Sequence, residues 1–414
     1  MSYTDISRKI DMRVTIYFPT PLVVTKDDYL VDVYWTEETG SPSHYPYGSV
    51  SANTASITLY SPKGLFDPNS TTSVYSNLIK RGLRLKLEIK SHSTDWLDLG
   101  DFYVQDWSYN SYSGTAYIEA ADKMQDKLKG VDHIPKILLD VNLQDACRTL
   151  GILADNLTTI KVFSSDAPWS DTVNKLCEAT RTFCIVDRQG NIVLKRPVLT
   201  TPYLINDNRL LVAIKNKSNL PTPSGNVVIE YGIPQIDRNV NVLQLSNESI
   251  MKGINTLGVF QVSTKPVLNY VTGVIRNVPN AKIIFKGTST FVELITDSPT
   301  EGVADISITA DVIKYVMKQL GSIEENSNIY SNCFVQNITD AQHLLNMYKA
   351  FSELNAPVLE IETRGDPTIL IGDTVLVESD KYNTRFEGIV IRHSYKYTGS
   401  LSCTTTVLHK EVVL

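Results

Sequence analysis

The chain has 414 residues, of which 42% are hydrophobic and 20% are charged, and its formal net charge at pH 7 is −6. This composition excludes an intrinsically disordered chain and predicts about two to four folded domains. The negative charge argues against specific nucleic-acid binding, which normally requires a basic stripe that displaces counterions from phosphates. A mildly acidic wall along which DNA slides without sticking is compatible with it.

Cysteine content and hydropathy limit the compartment and the covalent chemistry. The segment from Met1 to Asp5 lacks the apolar stretch of a secretory signal, and no run approaches the roughly 18 apolar residues of a membrane span. The cysteines are odd in number, scattered and without a CxxC pair, which predicts buried free thiols in a reducing cytoplasm rather than disulfides or zinc ligands. They are Cys147, Cys177, Cys184, Cys333 and Cys403.

Residues 1–130 are predicted to form an N-terminal antiparallel β-barrel. Residues 83–89 alternate without error, with four aliphatic side chains on one face and three charged ones on the other. Residues 102–107 are expected to pair with residues 115–120 across a tight turn. A short helix over residues 122–128 would close the barrel.

Residues 131–200 change period and predict a small α+β module. Leu143, Ala146, Cys147 and Leu150 share one helical face, with Asn142 as N-cap and Gly151 as the stop. A second helix is predicted to begin at residues 166–169, Asp-Ala-Pro-Trp, with Asp166 as the capping residue. One face of this helix is formed by Val173, Leu176, Cys177 and Thr180. A hairpin over residues 184–194, turning at residues 189–191, completes the module.

The remaining chain divides into three predicted parts. Residues 201–238 form a linker, ending at residues 221–225, and the first strand of a second β-barrel. Residues 239–354 are predicted to be a mixed insertion with helices, and residues 355–414 the remainder of the second barrel, with a hairpin around residues 398–400. One helical stripe in the insertion consists of Ala310, Ile313, Val316, Met317 and Leu320, and the other of Leu344, Tyr348 and Phe351.

The sequence contains no pattern that is typical of a catalytic or metal-binding site. The sequence contains no GxSxG elbow, HExxH pair, Walker loop or GxGxxG turn. The histidines share no ligand spacing, and we expect a structural or surface role for each. They are His44, His92, His133, His343, His393 and His409.

Paired carboxylates were considered because glycosidases need two of them about 5–9 Å apart. Asp98 lies in a sequence, residues 97–100, that predicts a β-turn, and Asp95 precedes it. Glu360 and Glu362 alternate with apolar residues, so we expect them on the solvated face of a strand. Asp366 and Asp373 lie beside Pro367 and Gly372 and are typical of turns. We therefore predict no catalytic residue, no cofactor and no metal ligand, and a protein that is not an enzyme.

Several turn motifs, taken in order, resemble one protein family. A strand at residues 56–60 is followed by Phe66-Asp67-Pro68-Asn69, then by Tyr75, and then by a Leu-to-Gly step at residues 78–83. The strand at residues 99–104 and the Ala-Ala-Asp sequence at residues 120–122 continue the pattern. This region resembles the first barrel of phage tail and baseplate hub proteins, which include the late control protein D-like proteins.

A second resemblance lies near the C-terminus. The sequence Gly365-Asp366-Pro367, followed by Gly372-Asp373-Thr374-Val375, is similar to an element of the second hub barrel in this family. Residues 329–332 and 386–390 extend the likeness. Residues 239–328 match nothing in the family, and no appended lysozyme or peptidase domain is evident.

The resemblance implies a fold and an assembly. The fold would be mainly β (α+β), with two antiparallel tail-tube-like β-barrels flanking a small α+β module and a helix-containing insertion. Such hubs are homotrimers in which each chain gives two barrels, so three chains form a pseudo-sixfold ring. That ring joins the sixfold tail tube to a threefold spike or tip, and DNA passes through its bore. Implied partners are the tail tube or distal tail protein, the tape measure protein and the central spike or tip protein. The expected location is the tail tip or baseplate of a virion assembled in the bacterial cytoplasm.

Two other functions stay open at this point. A carbohydrate-binding or cell-wall-degrading tail protein is suggested by the aromatic residues Tyr103, Trp107, Tyr109 and Tyr112, although aromatic residues on strands more often belong to the core. The hub of a phage-derived contractile injection device, a tailocin, would share every feature described above.

Overall fold

The computed structural model shows a mainly β protein, as predicted. Two curled β-units, formed by the first and last parts of the chain, flank an α+β module and a β-rich insertion that carries one long helix. The structure describes residues 8–40, 49–91, 94–130, 136–155, 158–165, 167–208, 210–216, 226–262, 266–354 and 358–413.

The first β-unit is a curled antiparallel sheet. Its strands follow the order β3-β4-β7-β6-β5-β1-β2, and one-turn helices at Pro62–Gly64 and Ser76–Leu78 lie in the connection between β4 and β5. The strands are β1 (Ile10–Ile16), β2 (Leu22–Thr25), β3 (Leu30–Glu38), β4 (Thr54–Tyr60), β5 (Arg84–Ser91), β6 (Leu97–Asn110) and β7 (Thr115–Ala121).

Two predictions in this unit have different outcomes. The alternation in β5 is confirmed, because Leu85, Leu87 and Ile89 are fully buried in the core of the unit. The predicted turn at residues 97–100 is wrong, because these residues form the start of β6 and pair with β5. Gly100 has a positive φ of 109° there and lies next to a register shift between β5 and β6. Glycine adopts positive φ at little cost, so this residue allows a bulge within the strand, and its sequence had the pattern of a turn.

The α+β module follows the first unit. It contains α1 (Met124–Leu128), β8 (Ile137–Asn142), α2 (Leu143–Thr149), β9 (Thr159–Ser164), α3 (Trp169–Thr180), β10 (Phe183–Val186) and β11 (Ile192–Lys195). Both predicted helices and the β10–β11 hairpin are confirmed. The Asn142 side chain accepts a hydrogen bond of 2.8 Å from the Asp145 backbone, as an N-cap should. The predicted capping Asp166 lies outside the described residues, and Pro168 occupies the N-cap position of α3.

The insertion is a β-sandwich carried on two long strands. Strands β12 (Val198–Asn206) and β13 (Leu211–Asn216) precede it. The linker predicted from residue 201 is wrong over these strands, because they pair with β22 and β21 in the second β-unit, and its end at residues 221–225 lies outside the described residues. The strand predicted to follow the linker is the start of β14 and belongs to a sheet of the insertion. The sheets β16-β19-β14-β20 and β15-β18-β17 pack face to face. The elements are β14 (Val227–Ile250), β15 (Gly253–Gln261), β16 (Val267–Arg276), β17 (Lys282–Gly287), β18 (Phe291–Ser298), β19 (Gly302–Leu320), β20 (Asn328–Asn332) and α4 (Ile338–Glu353).

One of the two helices predicted in the insertion is wrong. Ala310 and Leu320 belong to β19, which pairs with β14 along almost its whole length. Burial in β19 alternates up to Val312 and then shifts by one residue at Ile313, where the strand leaves the sandwich core. That shift spaces apolar residues as a helix would. The other helix, α4, is confirmed, and its N-cap is Asn337, which accepts a 2.9 Å hydrogen bond from the Asp340 backbone.

Paired bulges bend the long ribbon of β14 and β19. Asn239 and Asn247 of β14 both have positive φ, 54° and 61°, at places where the register shifts. The backbone N–H of Asn239 donates to Asp311, and that of Asn247 donates to Asp305, each at 3.1 Å. These bonds occupy backbone groups that a bulge removes from the ladder, so the bends are built into the strand.

The second β-unit is completed after the insertion. Its ladder runs β13-β21-β24-β23, and β23 also pairs with β22, which pairs with β12. One face encloses a core that includes Ile361, Val375 and Val377, and α4 covers Val358, Ile389 and Leu408 near the insertion. The elements are β21 (Val358–Thr363), β22 (Asp373–Ser379), β23 (Thr384–Tyr397), β24 (Leu401–His409) and α5 (Lys410–Val413).

The two β-units share one connectivity. In each, a meander of three strands has a middle strand of 14 residues, β6 or β23. The last meander strand then pairs with β4 or β21, and that strand pairs with β3 or β13. Bulges also recur at equivalent places, after Val104 in β6 and after Val390 in β23. The units differ at the outer strand, because β1 is antiparallel to β5 whereas β12 is parallel to β22.

Candidate functional site: the seam and the open strand edges

A strand pair joins the two β-units into one continuous sheet. One edge of β23 is occupied by β22 along residues 384–389 and by β3 along residues 392–397. The β3–β23 pair is antiparallel, with Trp35 opposite Tyr395 and Tyr34 opposite Lys396. We call this pair the seam. It shows how one unit extends the sheet of the other through backbone hydrogen bonds.

Aromatic stacking and a buried ion pair hold the seam. The rings of Trp35 and Tyr395 are parallel within 11°, with centroids 4.5 Å apart. Behind them, Arg188 from the β10–β11 turn donates to Glu37 of β3 at 3.2 Å. Burial lowers the pKa of Arg188, but the attraction of Glu37 outweighs it and leaves that pKa raised. The module is therefore tied to the seam by a charge pair that is largely removed from water.

A neutral histidine lies on the same strand. His393 is opposite Glu37 in the register and is 2% exposed, with Nδ1 2.9 Å from the Thr405 hydroxyl. Burial lowers the pKa of His393 to about 3, and the positive charge of Arg188 acts in the same direction. The ring is thus uncharged at neutral pH and serves as a packed, hydrogen-bonded core residue.

A cavity of about 460 Å³ lies where the first β-unit, the module and the second β-unit meet. Asp122 lines it and accepts hydrogen bonds from the backbones of Asn53 and Met124, and burial raises the pKa of its carboxyl to about 7. The nearby Lys195 pairs with Asp373 at 3.2 Å. The apolar wall includes Leu97, Leu99, Phe102, Leu370 and Ile371. Two of the cations that line the cavity are paired within the chain, Arg188 with Glu37 and Lys195 with Asp373.

Among the open strand edges of the described residues, two are the counterparts of the two edges joined in the seam. Within the described residues, β13 pairs with β21 on one edge only, whereas its equivalent β3 pairs on both. Residues 106–110 of β6 likewise pair with β7 on one edge and with no described strand on the other. The equivalent stretch of β23 receives β3. The chain thus has one joined pair of edges and one unjoined pair of the same kind.

The exposed face of the joined sheet is rich in hydroxyl groups and mildly acidic. Its side chains alternate with the buried core residues of β6, β7, β4, β3, β23, β24, β21 and β13. The hydroxyl side chains include Ser56, Ser108, Thr115, Thr36, Ser394, Ser402 and Thr404. Carboxylates outnumber cations, and Arg392 pairs with Glu38 at 3.2 Å. The carboxylates are Asp32, Glu38, Asp106, Glu119, Glu360 and Glu362, and the cations are Lys215, Arg392 and Lys396.

The structure does not bring the candidate carboxylates together at the cavity. Asp98, Glu360 and Asp373 lie on β6, β21 and β22 and do not line it. Asp98 pairs with Lys86 at 3.0 Å, which matches a solvated strand face. The side chain of Asp366 accepts a 2.9 Å hydrogen bond from the Thr368 backbone, which is the turn role predicted for it.

The candidate sugar-binding aromatics do not form one platform. Trp107 is buried and its Nε1 donates to the Phe66 carbonyl at 3.0 Å. Tyr109 packs against the core of the first unit, and Tyr103 is half-buried. Tyr112 is fully exposed in the β6–β7 turn.

The five cysteines differ in burial. Cys147, Cys177, Cys184 and Cys403 are buried free thiols, but Cys333 is exposed, so the prediction of burial is wrong there. Cys333 lies just past β20, where no periodic pattern indicates which side chains face inward. Within the described residues no group of three or more His, Cys, Asp or Glu side chains could hold a metal ion. His44, His92 and His133 lie outside those residues.

Comparisons with known proteins identify the fold. No protein-family model and no curated protein sequence matches the chain. Among solved structures, the 43 kDa tail protein of prophage MuSo2 from Shewanella oneidensis matches 98% of this chain and 100% of its own, with a TM-score of 0.54 and 10% identity. The tail protein from Neisseria meningitidis MC58 matches 98% of both chains, with a TM-score of 0.53 and 7% identity.

The chain has the fold of phage tail proteins. Both tail-protein structures are matched over nearly their whole length, so the likeness includes the two β-units, the module and the insertion. The resemblance seen in the turn motifs is confirmed, and so is the mainly β fold class. None of the helices in the described ranges is both long enough and apolar enough to cross a membrane.

Proposed function

We propose that the chain is a structural component of a phage-type tail tip, a hub that assembles as a homotrimeric ring around the path of DNA. It acts by geometry and carries out no reaction. The unjoined edges of β13 and β6 support this proposal most strongly, because the same kind of edges is already joined within the chain at the seam.

Open edges of this kind produce head-to-tail assembly. The β13 edge of one chain would extend the β6 sheet of the next, as β3 extends β23. Such heterologous contacts close into a ring when the rotation per step divides a full turn. Each chain would contribute its first and its second β-unit, joined by the seam. If the contact between chains rotates the sheet by the same angle as the seam does, the six β-units of three chains form a closed ring. The edge of β13 and the edge of β6 along residues 106–110 would then both be paired, which removes the aggregation hazard of these two open edges.

The recurring bulges predict the register between chains. In the seam, Lys396 lies opposite Tyr34. Lys396 is the fourth residue after Arg392, which follows the β23 bulge, and Asn110 is the fourth after Asp106, which follows the β6 bulge. A bulge also precedes Asp32 in β3 and Ala213 in β13, so Lys215 corresponds to Tyr34. The proposed contact therefore places Asn110 of one chain opposite Lys215 of the next.

The hydroxyl-rich face would line the bore. DNA that must slide should meet hydrogen-bonding groups that exchange readily with water and few unpaired cations, because phosphate contacts dominate DNA affinity. Arg392 is paired with Glu38 and Lys215 with Glu362 on this face. Proposed neighbours along the bore are the tail tube or distal tail protein, the tape measure protein and a central spike or tip protein. The hub of a contractile injection device would use the same geometry.

Disulfide trapping tests the ring contact. In a Cys333→Ser background, the pair Asn110→Cys and Lys215→Cys should link neighbouring chains, because directly opposed strand residues have Cβ atoms within disulfide reach. Denaturing gels without reductant should then show a covalent trimer. The matched control, Tyr34→Cys with Lys396→Cys, places the same bond inside one chain and should leave only monomers. A ladder beyond the trimer, or no link between chains while the control pair oxidises, would contradict the ring.

A further inference from the structure

Two buried thiols of the α+β module lie in contact with each other. Cys177 belongs to the last turn of α3 and Cys184 to β10, and they are 1% and 0% exposed. Their side chains form a thiol–thiol hydrogen bond, and both belong to the hydrophobic core of the module. The two sulfur atoms are therefore neighbours within a closed, apolar environment.

A tight reversal of the chain places the two cysteines together. Helix α3 ends at Thr180, and Arg181 caps it in the left-handed conformation, with φ at 54°. The backbone N–H of Thr182 then donates to the Cys177 carbonyl at 3.0 Å. Strand β10 begins at the next residue and brings Cys184 back against the helix. The pairing thus depends on the local fold of the module.

The other cysteines, all within the described residues, have different surroundings. Cys333 is exposed, and Cys403 is buried in the core of the first β-unit, where its sulfur lies 3.5 Å from the Thr405 hydroxyl. Cys147 shares the core of the module, but the thiol–thiol hydrogen bond joins Cys184 to Cys177. Cys147 is therefore the competing partner that an experiment must exclude, and Cys403 is a buried thiol of another core.

We propose that Cys177 and Cys184 form a disulfide when the protein meets a peroxide outside the reducing cytoplasm. The thiolate of one cysteine attacks a peroxide oxygen and breaks the O–O bond, which gives a sulfenic acid. The second thiol attacks that sulfur, the S–S bond forms, and the sulfenic hydroxyl leaves as water with the proton of the second thiol. With hydrogen peroxide, two thiols lose two electrons and the peroxide becomes two water molecules.

The surroundings of the pair make this reaction slow. The hydrogen bond with Cys177, together with burial, holds the pKa of the Cys184 thiol well above its ordinary value. Because the thiolate is the reactive form, the pair stays reduced while the chain folds and assembles in the cytoplasm. A tail component then leaves the cell with its particle and stays in an oxidising medium. That setting rests on the proposed function, whereas the reactivity of the pair does not.

The disulfide would fix the hairpin that is tied to the seam. Cys184 lies in the first strand of the β10–β11 hairpin, and the turn of that hairpin carries Arg188. Arg188 pairs with Glu37 of β3 at 3.2 Å. A covalent bond between α3 and β10 restricts the unfolded chain around this hairpin and so favours the folded state. The oxidised protein should therefore resist unfolding more than the reduced protein.

Thiol counting by mass spectrometry tests the pair. The Cys333→Ser protein keeps four of the five cysteines; it is purified with reductant, incubated with millimolar hydrogen peroxide, freed of oxidant, unfolded and alkylated with iodoacetamide. We expect two alkylated thiols, Cys147 and Cys403. Trypsin should then release residues 176–181 linked to residues 182–188. Cys403 is the internal control, because it is also buried but has no thiol in its core.

Two further variants in the same background identify the partners and the consequence. Cys147→Ala should form the same linked peptide, and Cys184→Ala should keep all of its remaining thiols free. The urea midpoint of the oxidised Cys333→Ser protein should exceed that of the reduced protein by about 0.5 M. Cys184→Ala, treated in the same way, should show no such difference.

Each other outcome contradicts a stated part of the proposal. Four alkylated thiols after prolonged oxidation would show that the pair does not react, and a linked peptide that contains Cys147 would show that the partners are wrong. Loss of the Cys403 thiol at the same rate would show that oxidation is unselective. A linked pair with an unchanged urea midpoint would show that the bond does not fix the hairpin. Light scattering on the same samples reports a failure of the trimeric ring separately.

Discussion

Trp35 of β3 stacks on Tyr395 of β23 in the centre of a core that belongs to both ends of the chain. Trp35 is 1% exposed and Tyr395 is 2% exposed, and residues of β23 and β24 complete the hydrophobic core of the first β-unit. The two units are therefore fixed relative to each other by a shared interior. Such rigidity suits a protein whose proposed work is to hold a ring at a constant curvature.

Removing the stacked indole should destabilise the whole protein. Trp35→Ala would leave a large cavity in the shared core, and we expect a loss of about 3–5 kcal/mol in the free energy of unfolding. Chemical denaturation followed by circular dichroism measures it. Tyr34→Ala, on the exposed side of the same strand, is the matched control and should cost much less. Equal losses in the two variants would show that the seam is not packed as described.

The Glu37–Arg188 pair should behave as a buried ion pair. Arg188→Met alone leaves the Glu37 carboxylate without its cation, and we expect it to cost about 3–5 kcal/mol of unfolding free energy. The double variant Glu37→Leu with Arg188→Met should recover most of that loss, because no unpaired charge remains. Urea unfolding of the single and double variants gives the comparison. A double variant less stable than the single one would disprove this account of the pair.

Acid should weaken the fold through His393. The folded pKa of about 3 lies below the ordinary value of 6.5, so between these values the unfolded chain binds more protons and stability falls as the pH is lowered. From pH 7 to pH 4.5 this group should cost about 2–3 kcal/mol.

A non-titrating variant isolates the histidine. Asp122 acts with the opposite sign over the whole of this range, because its folded pKa of about 7 is raised from 3.8 and its contribution to stability is lost as the pH rises. The contribution of Asp122 cancels when the unfolding free energy of His393→Phe is subtracted from that of the wild type, because Asp122 is present in both proteins. When the pH is lowered from 7 to 4.5, the unfolding free energy measured in urea should change in favour of the variant relative to the wild type by about 2–3 kcal/mol. The same loss in both proteins would refute the role of His393.

The carboxylates considered for catalysis should be dispensable. Peptidoglycan zymography of the purified protein should show no clearing, because Asp98 and Asp373 are engaged in ion pairs with Lys86 and Lys195 on different strands. Asp98→Ala, Glu360→Ala and Asp373→Ala should each still assemble as the wild type does. A clearing zone that one of these substitutions abolishes would replace the structural function with an enzymatic one.

Local patterns in the sequence predicted local structure well. The strict alternation of apolar and charged residues in β5 predicts a strand with one buried face, and the structure contains that strand. The helix α4 was equally predictable from its stripe of Leu344, Tyr348 and Phe351 and from the polar residues at its start. The motifs of the resemblance are turn residues, which depend on backbone conformation and therefore indicate fold even where identity is low.

The seam and the sandwich could not be predicted in this way. Trp35 and Tyr395 are neighbours only in the folded protein, and no local period links them. In β19 the buried face changes at Ile313, and bulges interrupt its partner β14, so the period of two is lost. One signal was present: Asn239 and Asn247 in β14 have counterparts in Asn269 and Asn277, which donate to the same two aspartates. The same spacing between the two asparagines of each pair indicates a ribbon with regularly placed bulges.

The mass of the purified protein in solution tests the central claim most directly. Light scattering coupled to size exclusion, at micromolar concentration, should give three chains of 46.2 kDa each, and electron-microscopy class averages of that species should show closed rings with a central hole. A species that remains a single chain under these conditions, or averages without a ring, would contradict the proposal that the open edges of β13 and β6 close on each other.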